Sequence, residues 1–262
     1  MRGALPSNLS LMEKVRLSPS RVNDYLNCPQ LYKYRAIDQL PEGINLDAER
    51  GKLVHKVLEA LFDLQPSQRT FNSAVKMVPG KWSLQREETP ELYQLIPEEK
   101  EWFDRVESLL RTYFTLETPS AFNPTNREMH LEIDLAEAIY LHGYVDRLDI
   151  APGGEVRIVD YKTGKSPRSG WEDKALFQLR IYALIYWRNT GTLPQLLQLI
   201  YLGDGQLLKS TPTEADLLRT EDKLLAVAKE IIDSIDTSNW VPKKSRLCDW
   251  CSFKPICPAH QK

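Results

Sequence analysis

Two extended segments joined across Pro152-Gly153-Gly154 constrain this chain more than any other stretch of it. The turn residues fold the strand ending near Ile150 back onto a strand beginning near Glu155, which predicts an adjacent pair. Side chains alternate faces along a strand, so in Ile158-Val159-Asp160-Tyr161-Lys162 the Asp160 and Lys162 side chains share one face, and Val159 and Tyr161 share the other. Gly143-Tyr144-Val145-Asp146, just before the turn, brings a second carboxylate onto the neighbouring segment. Two carboxylates and an amine on adjoining strands are the raw material of metal-dependent phosphodiester chemistry. Taken alone, the same pattern also describes a solvated strand face.

The rest of the chain supplies helices for such a sheet. Ser18-Pro19 is an N-cap followed by proline in the first turn, so a helix starts there and runs to Cys28-Pro29 with Val22, Tyr25 and Leu26 inward. A short basic and aromatic turn over 31–36 follows. A longer helix over 49–64 carries the stripe Leu53, Val54, Val57, Leu58, Leu61 and Phe62, with His55 one turn after Gly51. A glycine inside a helix lowers its stability, which makes sense if something approaches the backbone at Gly51. Residues 66–97 are rich in Pro, Gln and Glu and weakly periodic, and read as a connector with little regular structure. A helix over 98–114 has Trp102, Val106, Leu109, Leu110 and Tyr113 on one side. From Glu128 to Leu135 polar and apolar residues alternate as in a half-buried strand, with Glu132 on the polar face. After the two opening segments come a helix over 173–188 with Gln178 and Tyr182 one turn apart, a hairpin around Gly203-Asp204-Gly205, and a long helix capped by Thr213. This order fits a mixed sheet flanked by helices better than a bundle or a barrel.

At 262 residues and 42% apolar content the chain suits a single domain over 1–262: a mainly helical region (17–128), a core (129–211), and a helix with a tail (213–262). No run reaches the roughly 18 apolar residues of a membrane span, and no secretory apolar core stands at the N-terminus, which points to a cytoplasmic protein with no membrane partner. The net charge of −2 decides nothing about partners, but its distribution is uneven. Residues 14–35 and 243–262 are basic and residues 87–107 are acidic, so a polyanion could be held on one side only.

The cysteines are the second strong signal. Cys248, Cys251 and Cys257 form Cys-x2-Cys-x5-Cys, and the one other cysteine, Cys28, is far upstream. Disulfides are disfavoured in a cytosolic protein, so a metal or cluster is the better reading. Four thiolates suit either zinc or iron-sulfur; the single Cys-x2-Cys knuckle leans toward the cluster. Joining Cys28 to the tail would staple both chain ends to the body.

With these pieces in view, the sequence resembles the RecB-family exonucleases of the PD-(D/E)-x-K nuclease superfamily, in particular the iron-sulfur branch that includes the AddB nuclease domain and the CRISPR-adaptation exonucleases. The resemblance rests on residues 17–29, ending in Cys28-Pro29; on Gly51-Lys52-Leu53-Val54-His55; on Gly143-Tyr144-Val145-Asp146-Arg147-Leu148-Asp149; on Asp160-Tyr161-Lys162-Thr163-Gly164; on Gln178-x3-Tyr182; and on the closing cysteine triplet. It implies an α/β restriction-endonuclease-like fold: a mixed central sheet flanked by helices, with a helical N-terminal region and a cysteine-cluster tail. It further implies a metal-dependent deoxyribonuclease, an exonuclease acting on single-stranded DNA or DNA ends in repair or recombination, and monomeric. Asp146, Asp160, the Tyr161 carbonyl and His55 would hold Mg²⁺ or Mn²⁺, and Lys162 would activate water and offset phosphate charge. Gln178 and Tyr182 would line the site, and Glu132 would stand near the metal's water shell. Arg147 reads as a salt-bridge or phosphate contact, and His130, His142 and His260 read as ordinary residues. Cys28, Cys248, Cys251 and Cys257 would hold a [4Fe-4S] cluster. Known members carry or partner an ATP-driven helicase, so a helicase or repair protein is an expected partner. The alternative is a DNA-binding accessory subunit with a weak site. Thr163-Gly164-Lys165-Ser166 mimics the end of a phosphate-binding loop, but the required upstream glycine position holds Val159, so nucleotide binding is not expected.

Overall fold

The computed structural model describes residues 14–261. In chain order the principal elements are β1 (Val15–Leu17), α1 (Pro19–Asn27), α2 (Pro29–Tyr32), α3 (Leu46–Leu61), α4 (Phe71–Glu88), α5 (Leu92–Leu95), α6 (Glu99–Leu116), β2 (Asn126–Ala136) and β3 (Ile139–Ile150). They are followed by β4 (Val156–Lys162), α7 (Glu172–Thr190), β5 (Leu196–Tyr201), β6 (Gln206–Ser210) and α8 (Glu214–Thr237). These residues gather into two compact units. One holds the described residues up to Glu42, Leu131–Gly143 and those from Arg219 onward; the other holds Gly43–His130 and Tyr144–Leu218.

In the second unit the sheet is mixed. β3 and β4 are antiparallel from Arg147↔Val159 to Ile150↔Val156. β4 and β5 are parallel, with Asp160↔Leu199 and Lys162↔Tyr201 in register, and β5 and β6 are antiparallel. Alternation along the strands then sorts the two faces. Val159, Tyr161, Ile200 and Leu202 join one core with Leu53, Val57 and Leu61 of α3, Val78 and Trp82 of α4, and Val106, Leu110 and Tyr113 of α6. Asp160 and Lys162 face the opposite way and meet α7, whose Leu179, Ile181, Ala183, Leu184 and Ile185 are buried. Helices on both faces of a mixed sheet are the architecture expected from the sequence.

The stretch 66–97 is more ordered than its composition implies. It holds α4 and α5, with Thr70 capping α4 by accepting the Ser73 amide at 3.2 Å. The stripe that escapes a simple reading is Ala74, Val78, Trp82 and Gln85, interrupted in sequence by Pro79 and Gly80, which lie exposed. Trp82 packs on Trp102 of α6 at 5.2 Å between ring centroids. Gln85 is buried because its amide donates to both the carbonyl and the carboxylate of Glu49. Tertiary packing outweighs the weak local propensity here.

In the first unit β1 runs parallel to the leading half of β3, pairing Val15↔Ile139 through Leu17↔Leu141. Ser18 caps α1 by accepting the Arg21 amide, and Pro19 occupies the first turn. Tyr25 buries its ring and meets Ser234 of α8 through its hydroxyl at 3.3 Å. Tyr32 stacks on Trp240 at 5.9 Å, and Tyr34 packs on Phe253 at 5.0 Å while donating to the Ile256 carbonyl. Aromatic side chains therefore fasten the tail to the N-terminal helices. Among the described residues no helix is long and apolar enough to cross a membrane.

Candidate functional site

The β3–β4 hairpin brings the two sequence-identified carboxylates together. One residue beyond the Arg147↔Val159 pair, the Asp146 side chain takes over from the backbone ladder: its Oδ2 accepts the Tyr161 amide at 2.6 Å. That bond holds Asp146 against the strand carrying Asp160. His55 arrives from α3, with Nδ1 3.4 Å from Asp146 Oδ1 and Nε2 3.0 Å from the Tyr161 carbonyl oxygen. Gly51 lies at a close crossing here: a Cβ there would stand 3.3 Å from Thr163 Oγ1, just past the end of β4. The helical glycine thus marks a close crossing, as its helix cost implied.

A third acid joins them. Ligand atoms of His55, Glu128 and Asp146 all lie within 4.8 Å of one another. Glu128 was not singled out from sequence, where it shares the polar series of β2 with Glu132 and alternation cannot separate the two. Its backbone adopts φ 44°, a left-handed conformation uncommon for a residue with a side chain. Glu132 is placed differently: it is exposed, and its carboxylate accepts the Tyr140 hydroxyl. The expectation that Glu132 stands near a metal's water shell therefore passes to Glu128.

Electrostatics follow from crowding acids in a partly desolvated place. Burial, with Asp146 nearby, pushes the Glu128 carboxyl up to about 7. Burial also works against a charged His55, but the Asp146 carboxylate outweighs it and lifts the imidazole to about 9. Asp160 is 2% exposed, and its desolvation raises its pKa against the opposing pull of Lys162. Its Oδ2 lies 2.7 Å from Lys162 Nζ in a buried ion pair.

Gln178 links the remaining expected residues. Its Oε1 accepts from Lys162 Nζ at 2.8 Å, and its amide donates to Asp160 Oδ1 at 2.8 Å and to the Tyr182 oxygen at 3.0 Å. One side chain on α7 thereby orients a lysine, an aspartate and a tyrosine. Burial raises the Tyr182 phenol well above its ordinary value, so it stays neutral.

Arg147 is fully buried. It forms a two-pronged pair with Glu117 at 2.6 and 2.8 Å, and also donates to Asp149 and to the Tyr161 hydroxyl. Of the two roles read from sequence the structure gives it the salt bridge, since its guanidinium is out of reach of a phosphate. The network clamps Tyr161, whose backbone stands between His55 and Asp146.

A cleft of about 490 Å³ opens beside these groups, lined among others by Gly51, Lys52, His55, Lys162, Lys165 and Tyr201. Three lysines with an imidazole make a place for a polyanion.

The four cysteines lie in the first unit. Cys28, Cys248, Cys251 and Cys257 all line one small cavity of about 50 Å³, and all four are free, partly buried thiols. Cys28 Sγ accepts the Lys243 amide at 3.3 Å and Cys248 Sγ the Ser245 amide at 3.4 Å. His260, read as an ordinary residue, also lines this cavity.

A sequence profile of the PD-(D/E)XK nuclease superfamily matches residues 16–258. The chain belongs to that superfamily. The Gene 69 protein of Mycobacterium phage D29 is 27% identical over 267 residues, covering 92% of this chain and 96% of the phage protein. Among solved structures, a Eubacterium rectale protein provisionally assigned as an exonuclease superposes with a TM-score of 0.57 at 15% identity, covering 95% of this chain and 92% of the other. That likeness is one of fold.

Proposed function

We propose that the chain is a divalent-metal-dependent deoxyribonuclease that degrades DNA from ends or as single strands. The observation that carries this reading is the convergence of His55, Glu128 and Asp146 donor atoms within 4.8 Å of one another, on a sheet whose next strand presents the buried Asp160 beside Lys162. Hard carboxylate oxygens and a backbone carbonyl suit Mg²⁺ or Mn²⁺, and the imidazole favours Mn²⁺. Asp160 Oδ2, paired with Lys162, is a further oxygen of the same chemistry. A bound divalent cation would supply Lewis acidity toward the phosphodiester.

The protein's own groups do the rest. Lys162, held by Gln178, would face the phosphoryl oxygens on which negative charge builds, and its fixed position means little reorganisation is needed during reaction. Lys52 and Lys165 line the same cleft and counter the charge of flanking phosphates. The Arg147–Glu117 pair holds Tyr161, and with it the carbonyl near His55, in place.

For the cysteines the same reading assigns a structural [4Fe-4S] cluster. It is supported by the four thiols sharing one cavity and by amides directed at two of the sulfurs. Zinc is the competing occupant.

End-labelled single- and double-stranded oligonucleotides, incubated with Mg²⁺ or Mn²⁺, test the nuclease. Stepwise loss of nucleotides from wild-type protein and none from Asp160→Ala is the expected result; identical behaviour of the two proteins sinks it. Anaerobic purification followed by visible spectroscopy and iron and acid-labile sulfide assays tests the cluster, and stoichiometric zinc with a colourless protein refutes it.

A further inference from the structure

Beyond the groups that would handle the phosphodiester, β3 carries an aromatic ring that is mostly exposed. Tyr144 is 56% exposed, although it lies between the buried Gly143 and Val145. Strand alternation puts it on the same face as Asp146, two residues further on. Its ring rests on that of His130, with centroids 4.7 Å apart and planes inclined by 30°. His130 in turn lies on β2 two residues from Glu128, one of the three converging ligand residues. Two packed, mutually tilted rings therefore stand one step along their strands from two carboxylates of the candidate metal site, and the outer ring meets solvent.

A tyrosine this exposed contributes little to the core. It offers a flat π face held at a fixed tilt by a second ring, and offset aromatic contacts of this kind add attraction beyond area alone. Nucleobases stack on such faces with little regard for sequence, but only when the base is free of its duplex partner. The cleft lined by His55, which meets Asp146, holds Lys52, Lys162 and Lys165 and suits the phosphate side of the same ligand.

We propose that Tyr144, backed by His130, is a base-stacking platform that seats one unpaired nucleobase of single-stranded DNA beside the phosphodiester to be cut. This inference rests on the nuclease reading above and makes Tyr144 a positioning residue in it. Stacking commits the site to single-stranded DNA, because a paired base would have to leave its helix to reach the ring.

Two measurements test it. Metal-free protein is titrated into a single-stranded oligonucleotide containing 2-aminopurine, whose fluorescence falls on stacking. Quenching and tight binding are expected for wild type and Tyr144→Phe, with binding about tenfold weaker and quenching lost in Tyr144→Ala, the loss expected for one base stack. Equal affinity and quenching in all three overturn the proposal. Degradation is then compared, with divalent ion, between base-bearing and abasic oligonucleotides. Wild type and Tyr144→Phe should prefer the base-bearing strand through a lower KM, and Tyr144→Ala should lose that preference. An unchanged preference in Tyr144→Ala overturns the platform while leaving the nuclease intact. If wild type degrades neither strand and matches Asp160→Ala, the nuclease reading and the platform fall together.

Discussion

Gln178 Oε1 accepts a hydrogen bond from Lys162 Nζ at 2.8 Å while the same side chain's amide donates to Asp160. A neutral residue on a helix thus sets the distance between the anion and cation of the Asp-x-Lys strand. Only a side chain with both an acceptor and donors can do this.

Gln178→Ala should therefore lower the rate of DNA cleavage without unfolding the protein. Removing hydrogen bonds to charged groups typically costs about 1.5–3 kcal/mol, or roughly ten- to a hundredfold in rate if felt in the transition state. Gln178→Glu should be worse, because it sets a second carboxylate against the buried Asp160. Single-turnover rates, compared with circular dichroism melts, check both. A Glu variant faster than the Ala variant contradicts the argument.

Divalent cation should stabilise the folded protein through His55, Glu128 and Asp146. Thermal melts with increasing Mn²⁺ should show a rising, saturating midpoint that chelator reverses, by mass action on the native state. Asp146→Ala should abolish the rise and Glu128→Gln should shift it to higher Mn²⁺ concentration. Equal shifts in both variants and wild type would remove these residues from the binding site.

The His55–Asp146 pair makes the metal-free protein sensitive to alkaline pH. The folded pKa of His55 is raised to about 9 from an unfolded value near 6.5. Its stabilising contribution is therefore complete below about 6.5 and is lost as pH climbs through about 9, with a slope of at most ~1.4 kcal/mol per pH unit. Urea denaturation across pH 6 to 9.5 in chelator should show this decline, and Asp146→Asn should flatten it. An NMR titration placing the His55 midpoint near 6.5 in wild type would refute the coupling.

Arg147→Met should be among the most destabilising single changes in the second unit. It strands Glu117, 6% exposed at its side chain, without its two-pronged partner. Removing one member of a buried pair typically costs about 3–5 kcal/mol. Equilibrium unfolding should show the loss, and the double change Arg147→Met with Glu117→Gln should recover part of it. No recovery would mean that the pair's contribution is packing alone.

The chain's local chemistry was legible wherever a residue type has one strong reason to be where it is. Pro152-Gly153-Gly154 announces a turn, and the structure has it, with Gly154 at φ 91°. Ser18-Pro19 announces a helix start, Asp160 and Lys162 share a face because a strand has period two, and Gly51 flags the close crossing at Thr163. The helix α4 was hidden because Pro79 and Gly80 interrupt its stripe, and what orders it is contact with residues elsewhere: Trp102, and the carbonyl and carboxylate of Glu49.

The same division runs through the candidate site. By itself the sequence determined the strand that carries Asp160, Tyr161 and Lys162, the glycine at the close crossing one turn before His55, and the motifs that place the chain among PD-(D/E)XK nucleases. Only the tertiary structure decided that Glu128 rather than Glu132 joins His55 and Asp146, that Arg147 is buried against Glu117 instead of facing a phosphate, and that Gln178 spans Asp160 and Lys162. The reason is physical. Periodicity says which side of a strand or helix a residue takes, whereas a ligand set or a buried ion pair depends on distances between segments far apart in sequence, and those are fixed when the elements pack.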